Sequence, residues 1–219
     1  MLLAACATQL PGAGKYGVET VNSLSDYRKL VRADSSKELV HVKKFVPSII
    51  LDIKYATTDN FMKEAMYKSA EAFLSRPAVR SLKRVEEELN KIGYGLKIYD
   101  AYRPYSVTVA FYEKVKDTAY VASAYRGSRH NRGCAVDLTL IDLGTGNELL
   151  MPTAFDDFSP KAASDYHDLP PEAIRNRELL QRVMTSNGFA IYANEWWHFD
   201  YSGWRNHPLM DISFRQLLR

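Results

Sequence analysis

The stretch from Ser75 to Tyr99 constrains the fold most. Val79, Leu82, Val85, Leu89 and Ile92 recur at helical spacing, Pro77 sits in the first turn and Gly93 stops the run. Leu96-Lys97-Ile98-Tyr99 then reads as a strand. A helix with one apolar stripe must lay it on something, and the strand that follows offers a sheet. Arg103-Pro104 breaks the strand, and Ser106 to Val115 reads as a second helix. Further on, Cys134 to Ile141 reads as a strand and Gly144 to Asn147 as a turn. Pro171 to Asn187 reads as an amphipathic helix with Ile174, Leu180, Val183 and Met184 inward and Gly188 as its stop. Phe189–Tyr192 and Trp196–Tyr201 are strand candidates, and Ser48–Tyr55 has strand composition. The order lacks regular strand–helix–strand alternation. The expectation is an α+β fold with a central antiparallel or mixed sheet and flanking helices.

The chain has 219 residues, enough for one core to bury roughly 70% of the unfolded surface. Residues 1–20 read as a tail and 21–219 as one domain. Lys plus Arg is 29 against 26 Asp plus Glu, a net +3 without basic clustering, so nucleic acid is not expected as a partner. No run of 18 apolar residues crosses a membrane. The two cysteines cannot form a disulfide framework. Cys134 reads as a small core residue. Leu3-Ala4-Ala5-Cys6 resembles a bacterial lipobox, which makes Cys6 a candidate lipid anchor and slightly favours a periplasmic or membrane-anchored protein over a cytoplasmic one. Only five residues precede Cys6 and none is basic, so the expectation rests on a signal cut short.

Three segments carry chemistry. His130 lies in a polar, Gly-containing loop before the strand that holds Asp137. On that strand Ala135, Asp137 and Thr139 share one face, and Val136, Leu138 and Leu140 share the core face. A carboxylate flanked by apolar residues needs a partner, and a divalent cation would serve. Catalytic zinc commonly has three protein ligands, so His130 and Asp137 need a third from among His41, His167, His198 and His207. His198 stands out because Glu195, three residues earlier, could act as base for an attacking water. Residues 195 and 198 of a regular strand point to opposite faces, so Glu195 must sit in a turn or a bulge must re-aim one side chain. Each motif alone is weak: a hydrogen-bonded His–Asp pair, core tryptophans at 196 and 197 and a salt-bridging Arg103 are the plain readings.

Together the segments resemble the VanX-type D-Ala-D-Ala dipeptidases. These are zinc peptidases related in fold to D-Ala-D-Ala carboxypeptidases and the hedgehog signalling domain. Ser128, His130, Gly133, Ala135 and Asp137 meet Ser-x-His-x-x-Gly-x-Ala-x-Asp; Glu-Trp-Trp-His stands at 195–198 and Tyr-Arg-Pro at 102–104. The likeness runs from about Val46 to Phe214. It implies a hedgehog/D,D-peptidase-like fold, one zinc ion on His130, Asp137 and His198, and Glu195 as general base and then acid. It implies Arg103 facing the scissile carbonyl, Ser128 touching substrate, and Asp156 (or, by a one-residue slip, Asp157) receiving the substrate ammonium. Arg126, Arg129 and Arg132 are candidates for the substrate carboxylate, and the sequence does not choose among them. The expected partner is a small dipeptide. The alternatives are a D,D-carboxypeptidase or endopeptidase on cell-wall stem peptides, and a non-catalytic zinc-containing binding module.

Overall fold

A computed structural model describes residues 14–118 and 120–219; Cys6 and the lipobox-like run lie outside the described residues. The elements are α1 (Leu24–Ala33), β1 (Leu39–His41), α2 (Val42–Phe45), β2 (Ile50–Leu51), β3 (Phe73–Ser75), α3 (Arg76–Asn90), β4 (Tyr94–Asp100), α4 (Tyr105–Val115), β5 (Ala135–Asp142), α5 (Pro171–Ser186), β6 (Phe189–Tyr192), β7 (Glu195–Tyr201) and α6 (Phe214–Leu217). The five-stranded sheet runs β2-β4-β5-β7-β6. β2 and β4 are parallel and the other neighbours antiparallel. A second, two-stranded antiparallel sheet pairs β1 with β3. This is an α+β architecture with a mixed central sheet. No described helix is long and apolar enough to cross a membrane.

α3 and α5 pack against the sheet and against each other. Val79, Leu82, Val85 and Leu89 of α3 are wholly buried, as are Leu96 and Ile98 of β4 and Val136, Leu138 and Leu140 of β5. Burying such a side chain contributes about 1.5–3 kcal/mol, so this apolar layer is the main force holding the sheet. On the sheet's other face Ala135, Asp137 and Thr139 are buried too.

Three details depart from the sequence reading. α3 ends at Asn90, so Ile92 falls in the turn before Gly93 (φ +84°) and is 54% exposed instead of packed. Ile174 is only half-buried, because Ala173 and Arg177 take the inward positions in the first turns of α5. The expected strand over Ser48–Tyr55 shrinks to Ile50–Leu51. Asp52 N still bonds Ile98 O, but Lys54–Ala56 then coils into a short 3-10 turn that carries Tyr55 into the interior.

Candidate metal centre and active site

The sheet register builds the centre. Asp100 of β4 lies opposite Asp137 of β5, which lies opposite His198 of β7. Residues directly opposite on adjacent strands share a face, so three polar side chains stand in a row across three strands. His130 enters from the 3-10 turn His130–Arg132. That turn is stitched in place by Arg103 N bonding His130 O at 3.1 Å and by the buried Asn131. Asn131 Nδ2 donates to Arg103 O and Thr108 Oγ1, both at 2.8 Å, and its Oδ1 accepts from Ser128 N at 2.7 Å. Gly133 ends the turn with φ +62°, where a Cβ would come within 2.4 Å of Leu39 Cδ2.

His130, Asp137 and His198 are 2%, 3% and 7% exposed, and together they are the one group among the described residues placed to hold a metal ion. His130 Nδ1 lies 2.7 Å from Ala101 O, so it donates there and turns a bare Nε2 inward. His198 Nε2 lies 3.0 Å from Asp200 Oδ1, so it donates there and turns a bare Nδ1 inward. The two bare nitrogens are 3.2 Å apart. His198 Nδ1 is 3.0 Å from Asp137 Oδ1 and His130 Nε2 is 3.4 Å from Asp137 Oδ2. Two lone pairs and a carboxylate converging this closely need a positive charge between them. The spacing suits one: bonds of about 2.0–2.1 Å in a tetrahedron set neighbouring ligand atoms about 3.3 Å apart. The charges around the site point the same way. Burial disfavours charging His198, yet Asp137 and Asp200 overcome it and push its pKa up to about 10. Against its own burial, His130 and His198 hold Asp137 well below the usual carboxylate range.

Glu195 reaches the same point. Between β6 and β7 the register slips: Ile191 lies opposite Phe199, but the next residue, Tyr192, lies opposite Glu195. The irregularity lets Glu195 share the site with His198, at 3.7 Å between Oε2 and Nδ1. Of the two devices the sequence reading allowed, a turn or a bulge, Glu195 shows a break in strand register at the first residue of β7. Burial raises the Glu195 pKa, His198 opposes that and Asp137 reinforces it.

Arg103 is buried as a cation. Its Nε and Nη2 donate to Asp100 Oδ2 at 2.9 and 2.7 Å, and its guanidinium lies over Phe111 and Tyr55 at 4.7 and 5.2 Å. Tyr67 donates to the other Asp100 oxygen at 2.8 Å. Asp100, Tyr67 and Tyr55 were not singled out from sequence. The signal available was Asp100 three residues before Arg103.

A cavity of about 520 Å³ opens over the cluster, lined by Arg103, Ser128, Asp156, Glu195 and Trp197 among others. Asp156 takes the left-handed conformation (φ 61°), and both its oxygens accept from Tyr55 Oη at 3.0 Å. Burial, then the Asp137 charge, push its pKa up to about 8. Asp157 instead accepts from Ser159 N and is not among the residues that line the cavity. Ser128 Oγ accepts from His130 N at 3.2 Å and lines the cavity. The remaining candidates lie elsewhere: His41 pairs with Glu71, His207 is buried outside the cluster and His167 is exposed. Cys134 Sγ sits 3.4 Å from Ser75 Oγ, and burial pushes the thiol up to about 12. Trp196 and Trp197 are core, though Trp197 also walls the cavity.

The family model described as D-Ala-D-Ala dipeptidase, peptidase M15, matches residues 35–211. The chain belongs to that family. It is therefore a peptidase of the M15 group, and the expected kinship is met. The D-alanyl-D-alanine dipeptidase of Escherichia coli (strain K12) is 36% identical over 177 residues, covering 81% of this chain and 91% of that protein. The D-alanyl-D-alanine dipeptidase of Streptomyces coelicolor is 31% identical over 185 residues, covering 74% and 90%. A solved structure of the D,D-dipeptidase VanXYg, bound to a D-Ala-D-Ala phosphinate analog, is 17% identical with TM-score 0.40, covering 76% of this chain and 67% of that one.

Proposed function

We propose that the protein hydrolyses D-Ala-D-Ala, with one zinc ion on His130 Nε2, Asp137 and His198 Nδ1 and with Glu195 as general base. Membership of the M15 family supports the substrate class. The observation that carries the mechanism is the convergence of two bare imidazole nitrogens and a carboxylate with Glu195 at 3.7 Å. Two nitrogen donors, one oxygen donor and an open side toward the cavity suit zinc, which supplies Lewis acidity and an acidified water at neutral pH.

The chain's own groups do the rest. Glu195 removes a proton from the attacking water, and its raised pKa lets it return that proton to the departing amine. The Arg103 guanidinium, locked on Asp100 and needing no reorganisation, faces the carbonyl oxygen as charge grows there. Asp156 receives the substrate ammonium. A buried carboxylate whose hydrogen-bond partner is a tyrosine hydroxyl, with Asp137 and Glu195 outweighing Arg103, holds a proton near neutrality, and an arriving ammonium supplies counter-charge that lets it ionise. A longer peptide would put a neutral amide there and forgo that ion pair, which selects for a free amino end.

The test is a zinc-loaded assay against L,L, L,D and D,D dipeptides beside a muropeptide stem. D-Ala-D-Ala alone should be cleaved. Glu195→Ala should keep its metal and lose roughly 10²–10⁴ in turnover. Native-rate hydrolysis by that variant would overturn the assignment of the base, and preferential cleavage of the stem would make the enzyme a carboxypeptidase.

A further inference from the structure

The cavity lining carries charges of both signs. Asp156 and Glu195 stand among its acidic lining residues, while Arg126, Arg129 and Arg132 line it beside Ser128 and Trp204. The three arginines are not equivalent. Arg132 lies over Trp204 at 5.4 Å and spends its Nη1 on His207 O. Arg126 is exposed, and nothing among the described residues holds its side chain. Arg129 alone is both anchored and unspent. Its guanidinium lies over Trp204 at 5.1 Å, and its Nε faces Asp200 Oδ2 at 3.5 Å. Neither of its Nη groups bonds another described residue. Asp200 cannot neutralise it fully, because its other oxygen accepts from His198.

We infer that Arg129 is the group that holds the free carboxylate of the dipeptide. This rests on the reaction proposed above and adds the specificity determinant for its carboxyl end. A guanidinium held over an aromatic face with two terminal nitrogens free is a fork matched to a carboxylate, and the Trp204 and Asp200 contacts restrain it before the ligand arrives. Its position fits the reach of the substrate. One residue beyond the scissile bond extends about 3.5 Å, so a dipeptide's carboxylate lands among the groups immediately around the cluster. Arg129 is one carboxylate removed from the outer nitrogen of His198. Arg103, the other cation at the cluster, has its Nε and Nη2 bound to Asp100. Ser128 Oγ, which accepts from His130 N, keeps its own proton for a carboxylate oxygen.

The experiment compares D-Ala-D-Ala with D-Ala-D-alaninamide, which keeps the ammonium and scissile bond and loses the terminal charge. Native enzyme should prefer the acid. In Arg129→Ala the KM for the acid should rise roughly 10- to 100-fold, the worth of a charged hydrogen bond, with kcat within a few-fold and the amide little changed. Arg129→Lys, which keeps a cation beside Asp200 but not the fork, should give a smaller rise of the same kind. Arg126→Ala should leave the preference alone. If the Arg129 variants slow both substrates equally, the residue acts only through Asp200 and His198 and the inference falls. If native enzyme shows no preference for the acid, it also falls. Native enzyme that cleaves neither compound overturns the reaction itself.

Discussion

Asp200 sits behind the candidate metal centre, and removing it isolates what a carboxylate bonded to a candidate ligand imidazole contributes. Its Oδ1 accepts from His198 Nε2 at 3.0 Å, and its Oδ2 faces Arg129 at 3.5 Å. The bond does two things: it fixes the tautomer that leaves Nδ1 bare, and it makes the imidazole a stronger donor. A hydrogen bond to a charged group contributes about 1.5–3 kcal/mol. The tie to Arg129 draws some charge from Asp200, so the lower half of that range applies. Loss of 1.4 kcal/mol is about tenfold in affinity. Asp200→Ala should therefore weaken zinc binding roughly 10- to 40-fold. Asp200→Asn should lose less, because its amide oxygen can still accept from Nε2. The assay is chelator competition at fixed pH, read from the free-metal concentration at half occupancy, with circular dichroism to verify the fold. Asp200→Ala protein that binds zinc as tightly as the native chain would show that His198 is oriented by its strand alone, and the reasoning would be wrong.

Two further outcomes follow from the same geometry. Metal-free protein should lose stability as pH rises from about 4 to 8, because the folded chain keeps the Asp156 proton (pKa about 8 against 3.8 when unfolded) while the unfolded chain releases it. Asp156→Asn should remove up to about 1.4 kcal/mol per pH unit of that decline, read from denaturant midpoints at pH 5 and 7.5; identical declines in both proteins would refute it. Gly133→Ala should destabilise the fold by about 1–3 kcal/mol, since an added Cβ meets Leu39 at the left-handed φ of +62°. Thermal unfolding at native temperature for that variant would refute the close packing around the His130 turn.

What the sequence shows and hides here follows from how each property arises. The helix stripe, the Gly93 stop and the apolar run of β5 are local, so their elements are legible to within a residue or two at most ends. The weak β2 failed because a two-residue parallel pairing depends on a partner about 47 residues away, not on its own composition. The site divides the same way. His130, Asp137, Glu195 and His198 carry recognisable spacing, and the slip between β6 and β7 resolves the parity conflict that spacing alone posed. Asp100 and Asp200 carry no such mark. Asp100 enters the site because strand pairing sets it opposite Asp137, and Asp200 because it lies two residues past His198 on one strand face, with its carboxylate folded back to the ring. The same holds for the arginines. Arg126, Arg129 and Arg132 look alike in sequence, and only the position of Trp204, Asp200 and the His207 carbonyl separates the one with free donors from the others. The candidate ligands are thus legible in residue types at short spacing, whereas their orientation and charge are set by residues that only the register of the sheet brings near.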